Sequence, residues 1–286
     1  MSACGTTPAS LRLRSAPNEW GTGSGPLSLE QVDQYRRDGY LLLTSEAMLT
    51  EHLDDLQIAA DALLSVRNQQ SFITEPGQRD VVRSVFSAHR LSAPLNRLCG
   101  NPLLVNMAMQ LLSSSIYIHQ SHLNYKLAWF GTGFFWHQDF VFWRDEDGMP
   151  APRAITAVSF LDPVTTTNGP MLVIDGSHRW EDVRQLPDRL ADPNRSVRHE
   201  RRQDVASHGL LDPEQLSFLV SQGTIRELTG PAGAVLLFDP LLAHASTDNL
   251  SQNNRKLFFC CYNSTENVLR RPMRPEYITE RNFSAL

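Results

Sequence analysis

The chain has 286 residues, a formal net charge of −5 and four cysteines. This length suits one large domain, often an all-β one, with ample chain for a sizeable core. The mild acidity gives no basic footprint for nucleic acid or an anionic membrane, and no apolar run approaches the ~20 residues that span a bilayer.

Residues 1–26 carry Ser, Thr, Pro and Gly, end in GTGSGP, and are expected to form a flexible tail. They lack the apolar stretch of a signal peptide, so the expected compartment is the cytoplasm. Ser28 and Gln31 have the spacing of a capping box, Leu27 and Val32 that of a hydrophobic staple, and Gly39 can close the helix between them. A short apolar strand, 40–43, follows. Leu53, Leu56, Ala60, Leu63 and Leu64 recur at helical spacing. Asn101 and Pro102 cap a third helix that runs to about Leu112.

From Ile116 the texture changes to short segments rich in Ile, Val, Phe and Tyr, punctuated by Gly, Pro and Asn. The expected strands are 116–126, 133–142, 154–161, 171–174, 233–238 and 257–263. A charged, mostly helical insertion is expected at about 179–222. Helices first and many short strands afterwards imply a mainly β sandwich or barrel with flanking helices. Cys4, Cys99 and the adjacent pair Cys260 and Cys261 form no C-x-x-C and read as reduced thiols.

The stretch FFWHQDFVFW (134–143) places His137 and Asp139 two apart among aromatics. On a strand both would project from one face. A plain reading is a buried His–Asp hydrogen bond. The sharper one is two arms of a facial triad of two histidines and a carboxylate for non-haem Fe(II), which needs a second histidine from a distant strand. His244, just after the apolar run GAVLLF, supplies one. Arg255 stands eleven residues later at the start of KLFFCCYN, where a guanidinium can hold a carboxylate bidentately. Jointly these features favour iron, with the aromatics keeping the site dry. His52, His89, His178, His199 and His208 read as structural or solvated.

Several stretches resemble the phytanoyl-CoA dioxygenase superfamily and, within it, the ectoine hydroxylases: VVRSVF (81–86), IYIHQSHLNYK (116–126), FFWHQDFVFWRDEDGMPAPRA (134–154), NGPMLVIDGSH (168–178), AHASTDN (243–249) and RPEYITERNF (274–283). The resemblance implies a double-stranded β-helix, the jelly-roll or cupin-like core, as a single domain over 27–286. It implies Fe(II) on His137, Asp139 and His244. It implies 2-oxoglutarate on Arg255, Asn124, Phe134, Thr156 and Ser246, and O2 as oxidant. The substrate side would be Gln120, His122, Phe142, Trp143 and Phe259.

The pocket departs from the ectoine pattern. His122 stands where that pattern has arginine, and Phe142 where it has threonine. A largely neutral histidine replaces a permanent cation, and a ring replaces a hydroxyl. The expected reaction is therefore hydroxylation of an unactivated C–H of a small amino acid or amino-acid-like molecule, releasing succinate and CO2. A true ectoine 5-hydroxylase is the alternative. A non-catalytic metal-binding or sensing module is a further one, against which Arg255 counts. An acyl-coenzyme A hydroxylase would want a basic groove that the sequence lacks. Neither nucleic acid nor a membrane is an expected partner; a homodimer is compatible with the sequence.

Overall fold

The computed structural model describes residues 7–14, 23–44, 52–66, 71–184 and 209–286. A short strand, β1 (Leu11–Leu13), precedes the helices. Helix α1 (Leu29–Asp38) starts where the Ser28 hydroxyl accepts from the Gln31 amide and the Gln31 side chain accepts from the Ser28 amide. Leu27 and Val32 are buried in one cluster, and Gly39 ends the helix at a φ of 85°. Strand β2 (Tyr40–Leu43) and helix α2 (Leu53–Leu64) follow.

A hairpin of β3 (Phe72–Glu75) and β4 (Gln78–Phe86) turns at Pro76-Gly77, where Gly77 takes a φ of 79°. Helices α3 (Ala88–Leu91), α4 (Ala93–Cys99) and α5 (Pro102–Leu112) lead into strand β5 (Ile116–Lys126). Next come β6 (Phe134–His137), α6 (Asp139–Asp147), β7 (Ala154–Phe160), β8 (Met171–Ile174) and β9 (Trp180–Asp182). The chain ends with α7 (Pro213–Gln222), β10 (Ile225–Leu228), β11 (Val235–Phe238), β12 (His244–Ser246) and β13 (Arg255–Ser264).

Two antiparallel sheets carry the site. The larger has the order β2-β11-β7-β13-β5-β4-β3 and the smaller β10-β8-β12-β6. Neither closes on itself, and together they form the cupin-like double-stranded β-helix. Period-two alternation divides the larger sheet cleanly. Leu123, Tyr125, Ile155, Ala157, Phe258, Cys260 and Tyr262 join one cluster with α1, α2, α4 and α5. Val158, Phe160 and Leu257 turn the other way and pack with Met171 and Val173 of the smaller sheet. The inward row therefore also contains Gln120, His122, Asn124 and Lys126 on β5, Thr156 on β7, and Arg255, Phe259 and Cys261 on β13.

Two expectations need correction. The expected strand 133–142 stops at His137, and Asp139 opens a helix, because Phe140, Trp143 and Asp147 follow helical spacing and are buried. Within the expected tail, Leu11–Leu13 pairs with Trp180–Asp182 in a two-stranded sheet, where Leu11 is buried. The expected insertion holds β9 at its start and α7 at its end; residues 185–208, with His199, lie outside the described residues, as does His208.

Candidate active site

His137 and His244 face one another across the β6–β12 pair, with ring centroids 4.2 Å apart. Each ring is held from behind by the carbonyl two residues before it. His137 Nδ1 bonds the Phe135 carbonyl at 2.7 Å, and His244 Nδ1 bonds the Leu242 carbonyl at 2.9 Å. A carbonyl only accepts, so both rings carry their proton on Nδ1 and present an Nε2 lone pair forward. Asp139 reaches the same point from the first turn of α6. Its Oδ1 lies 3.6 Å from His137 Nε2 and 3.9 Å from His244 Nε2. These separations are too long for hydrogen bonds. One ligand atom from each residue lies within 4.8 Å of the others, so the three can share one cation.

Burial would push the Asp139 carboxyl up, but His244 and His137 outweigh it and hold it down at about 2. Its place at a helix N-terminus further favours the anion. Burial, then His137, brings His244 down to about 4. An ionised carboxylate and neutral imidazoles are the forms that bind a divalent metal. Two nitrogens and one oxygen on one side of a site suit non-haem Fe(II), with room left for other ligands.

A second cluster lies along the inward row. Arg255 is 1% exposed. Its Nη1 donates to Asn124 Oδ1 and its Nη2 to the Gly169 carbonyl, both at 2.9 Å, while its buried Nε has no partner among the described residues. Asn124 Nδ2 donates to Ser84 Oγ, which fixes the amide. Ser246 follows His244 by two residues on β12, and Phe134 lies opposite it on β6. Thr156 is buried and donates to Cys261 Sγ at 3.4 Å. The structure thus gathers Arg255, Asn124, Ser246 and Phe134, with Thr156 further along the same face.

Of the residues expected on the substrate side, His122 stacks on Phe259 with centroids 4.5 Å apart and packs against Phe86. Its Nδ1 lies 3.2 Å from Gln120 Nε2. Burial brings His122 down to about 4, so it is neutral at neutral pH. Phe142 stands steeply tilted to the His137 ring, with centroids 6.2 Å apart. Trp143 is deeper: it packs with Phe140, Met149 and Leu241, edge-on to His119. His178 is apart from the site, buried against Gly39 with its Nε2 3.1 Å from the Arg36 carbonyl.

Sequence reasoning missed three participants. Arg83 on β4 lays its guanidinium 3.7 Å over the Phe134 ring while ion-paired to buried Glu75. Lys126 reaches Ser246. Arg274, held by Asp147, extends to Gln120 Oε1 at 3.5 Å. Each lies inside a stretch that matched the family pattern, yet a single cation within a motif carries no sign of what it faces.

The model of the family described as phytanoyl-CoA dioxygenase (PhyH) matches residues 35–257. An ectoine dioxygenase of Bordetella bronchiseptica is 38% identical over 96% of this chain and 89% of its own length. An L-proline trans-4-hydroxylase of Streptomyces griseoviridis is 34% identical over 91% of this chain and 94% of its own. The crystal structure of EctD from S. alaskensis with 2-oxoglutarate and 5-hydroxyectoine superposes with a TM-score of 0.81 at 33% identity, covering 97% of this chain and 94% of that one.

Proposed function

The chain belongs to the phytanoyl-CoA dioxygenase family, and from that premise we propose that it hydroxylates an unactivated C–H bond of a small amino-acid-like molecule. It uses Fe(II), O2 and 2-oxoglutarate. The observation that carries this reading is the convergence of two Nε2 lone pairs and the Asp139 carboxylate on one point, with the half-satisfied Arg255 guanidinium on the same inward face.

His137, Asp139 and His244 would hold the metal. Bound Fe(II) supplies O2 activation coupled to oxidative decarboxylation of 2-oxoglutarate to succinate and CO2. The chain's own part is binding and placement. Arg255, oriented by Asn124, takes the far carboxylate of 2-oxoglutarate; Phe134, Thr156 and Ser246 line it. Phe142, the His122–Phe259 stack and Gln120 shape the substrate side, and Trp143 backs it. The surrounding aromatics exclude water and strengthen every polar contact inside.

Relatives named for ectoine and for L-proline both support an amino-acid-like substrate. The neutral His122 and the Phe142 ring favour a molecule other than ectoine. Ectoine 5-hydroxylation is the second reading, supported by the number of ectoine dioxygenases among the relatives. The test is substrate-dependent succinate formation with Fe(II) and 2-oxoglutarate across L-amino acids, cyclic amino-acid derivatives and ectoine. Succinate formation that no such molecule accelerates would refute the proposed reaction.

A further inference from the structure

We propose that Lys126 is a positioning residue of the co-substrate pocket: it occupies Ser246 Oγ as a donor and so turns the Ser246 hydroxyl proton toward the far carboxylate of 2-oxoglutarate. This rests on the reading of Arg255 and Ser246 given above.

Lys126 is the last residue of β5, where a lysine ordinarily reaches water, yet it is fully buried. Two glycines make room for it. A Cβ on Gly131 would meet Lys126 Cα at 2.5 Å, and one on Gly169 would meet Lys126 Cδ at 2.4 Å. The freed Nζ donates to Ser246 Oγ at 2.8 Å and to the Thr247 carbonyl. The Phe134 amide also donates to Ser246 Oγ, at 3.3 Å.

A serine hydroxyl has two lone pairs and one proton. Both lone pairs are filled here, so the proton has to be given away, and among the described residues Ser246 Oγ has no acceptor. The matching orphan is Arg255 Nε, on the strand residue paired in register with Lys126. Among the described residues, one O–H and one N–H thus lack acceptors in a pocket where three buried basic side chains gather. Arg83 has Glu75 in contact, whereas among the described residues Lys126 and Arg255 have no carboxylate in contact. A carboxylate is the ligand that meets both donors.

Charge gives the inference a readout. Burial first, then Arg255 on β13 and Arg83 on β4, bring Lys126 down to about 5, opposed by Asp248 and Glu75. A carboxylate arriving at Arg255 offsets those cations and restores the ammonium. At neutral pH the ligand then binds with uptake of one proton, so its affinity falls as pH rises.

Calorimetric titration of 2-oxoglutarate into anaerobic Fe(II)-loaded protein tests this. Lys126→Met and Ser246→Ala should each weaken binding by about ten- to thirtyfold, and the double variant should lose little more than the weaker single one, since one acts through the other. Fe(II) affinity should stay unchanged in all three. Wild-type affinity should fall between pH 6 and 8, and that of Lys126→Met should not. Lys126→Gln, with a shorter neutral donor, replaces Lys126→Met should the latter not fold, and should lose the same pH dependence. Folded lysine variants with wild-type affinity and pH profile, or additive losses, would overturn the inference. A wild type that binds no 2-oxoglutarate would instead overturn the proposed function beneath it.

Discussion

His137 and His244 are direct cross-strand partners, and each is pinned by the carbonyl two residues before it in its own chain. The strand geometry therefore sets tautomer and direction before any metal arrives. Ligands so fixed lose little conformational freedom on binding. Asp139 comes from a different kind of element, and its approach is set by how α6 packs.

The first prediction follows. His137→Ala, Asp139→Ala and His244→Ala should each lower iron content and iron-dependent turnover by more than about a hundredfold, the upper range for losing even a supporting partner. Thermal unfolding should move little, because these groups line an open site. Near-normal iron content and turnover in any one variant would remove that residue from the ligand set.

Arg255→Lys should raise the Michaelis constant for 2-oxoglutarate. A lysine cannot hold Asn124, the Gly169 carbonyl and a carboxylate in one planar fork. Loss of one charge-assisted bond costs on the order of 1.5–3 kcal/mol, or roughly ten- to a hundredfold. The constant for the substrate should change far less, and steady-state kinetics with each varied in turn separates the two.

The substrate pocket predicts poor turnover of ectoine and good coupling with a free or modified L-amino acid. His122 is neutral and stacked, so it offers no permanent charge. His122→Arg with Phe142→Thr should raise kcat/KM for ectoine by about tenfold or more, because specificity lies in differential pocket contacts. Efficient ectoine hydroxylation by the unaltered chain would mark it as an ectoine 5-hydroxylase.

Stability should depend on pH in a defined window. His122 and His244 are brought from an ordinary 6.5 to about 4 by burial, and buried His119 is lowered too. The unfolded chain binds these protons more readily. Stability is therefore full above about 6.5 and falls as pH drops toward 4, by up to about 1.4 kcal/mol per pH unit for each histidine. Urea unfolding of the metal-free protein between pH 4 and 7 measures this, and His122→Gln should reduce the slope. A flat profile would mean that these rings are protonated as easily folded as unfolded.

Much of this architecture was legible in the residues. The capped helix after Ser28 and the strands at 116–126, 154–161, 171–174, 233–238 and 257–263 follow local rules that tertiary packing did not override. The H-x-D pair, distant histidine and arginine stood out because few purposes need those types together. Asp139 was misplaced on a strand because aromatics favour strands, although Phe140, Trp143 and Asp147 also carry the helical period. The hairpin of Phe72–Glu75 and Gln78–Phe86 was signalled only by Pro76-Gly77. Lys126 was illegible, since its burial depends on Gly131 and Gly169 arriving from elsewhere in the chain.

Helix α6 carries the only carboxylate of the proposed iron-binding set at its start and Phe142 and Trp143 one turn later. On the proposed reading, choice of substrate and construction of the metal centre are thus written on a single helix. Replacements at 142 or 143 that tilt the helix will shift Asp139 with it, so acquiring a new substrate tends to disturb the oxidant. Lineages of this enzyme should find easier routes to new substrates through positions 120, 122 and 259, on the strands of the opposite wall, which leave the carboxylate where it is.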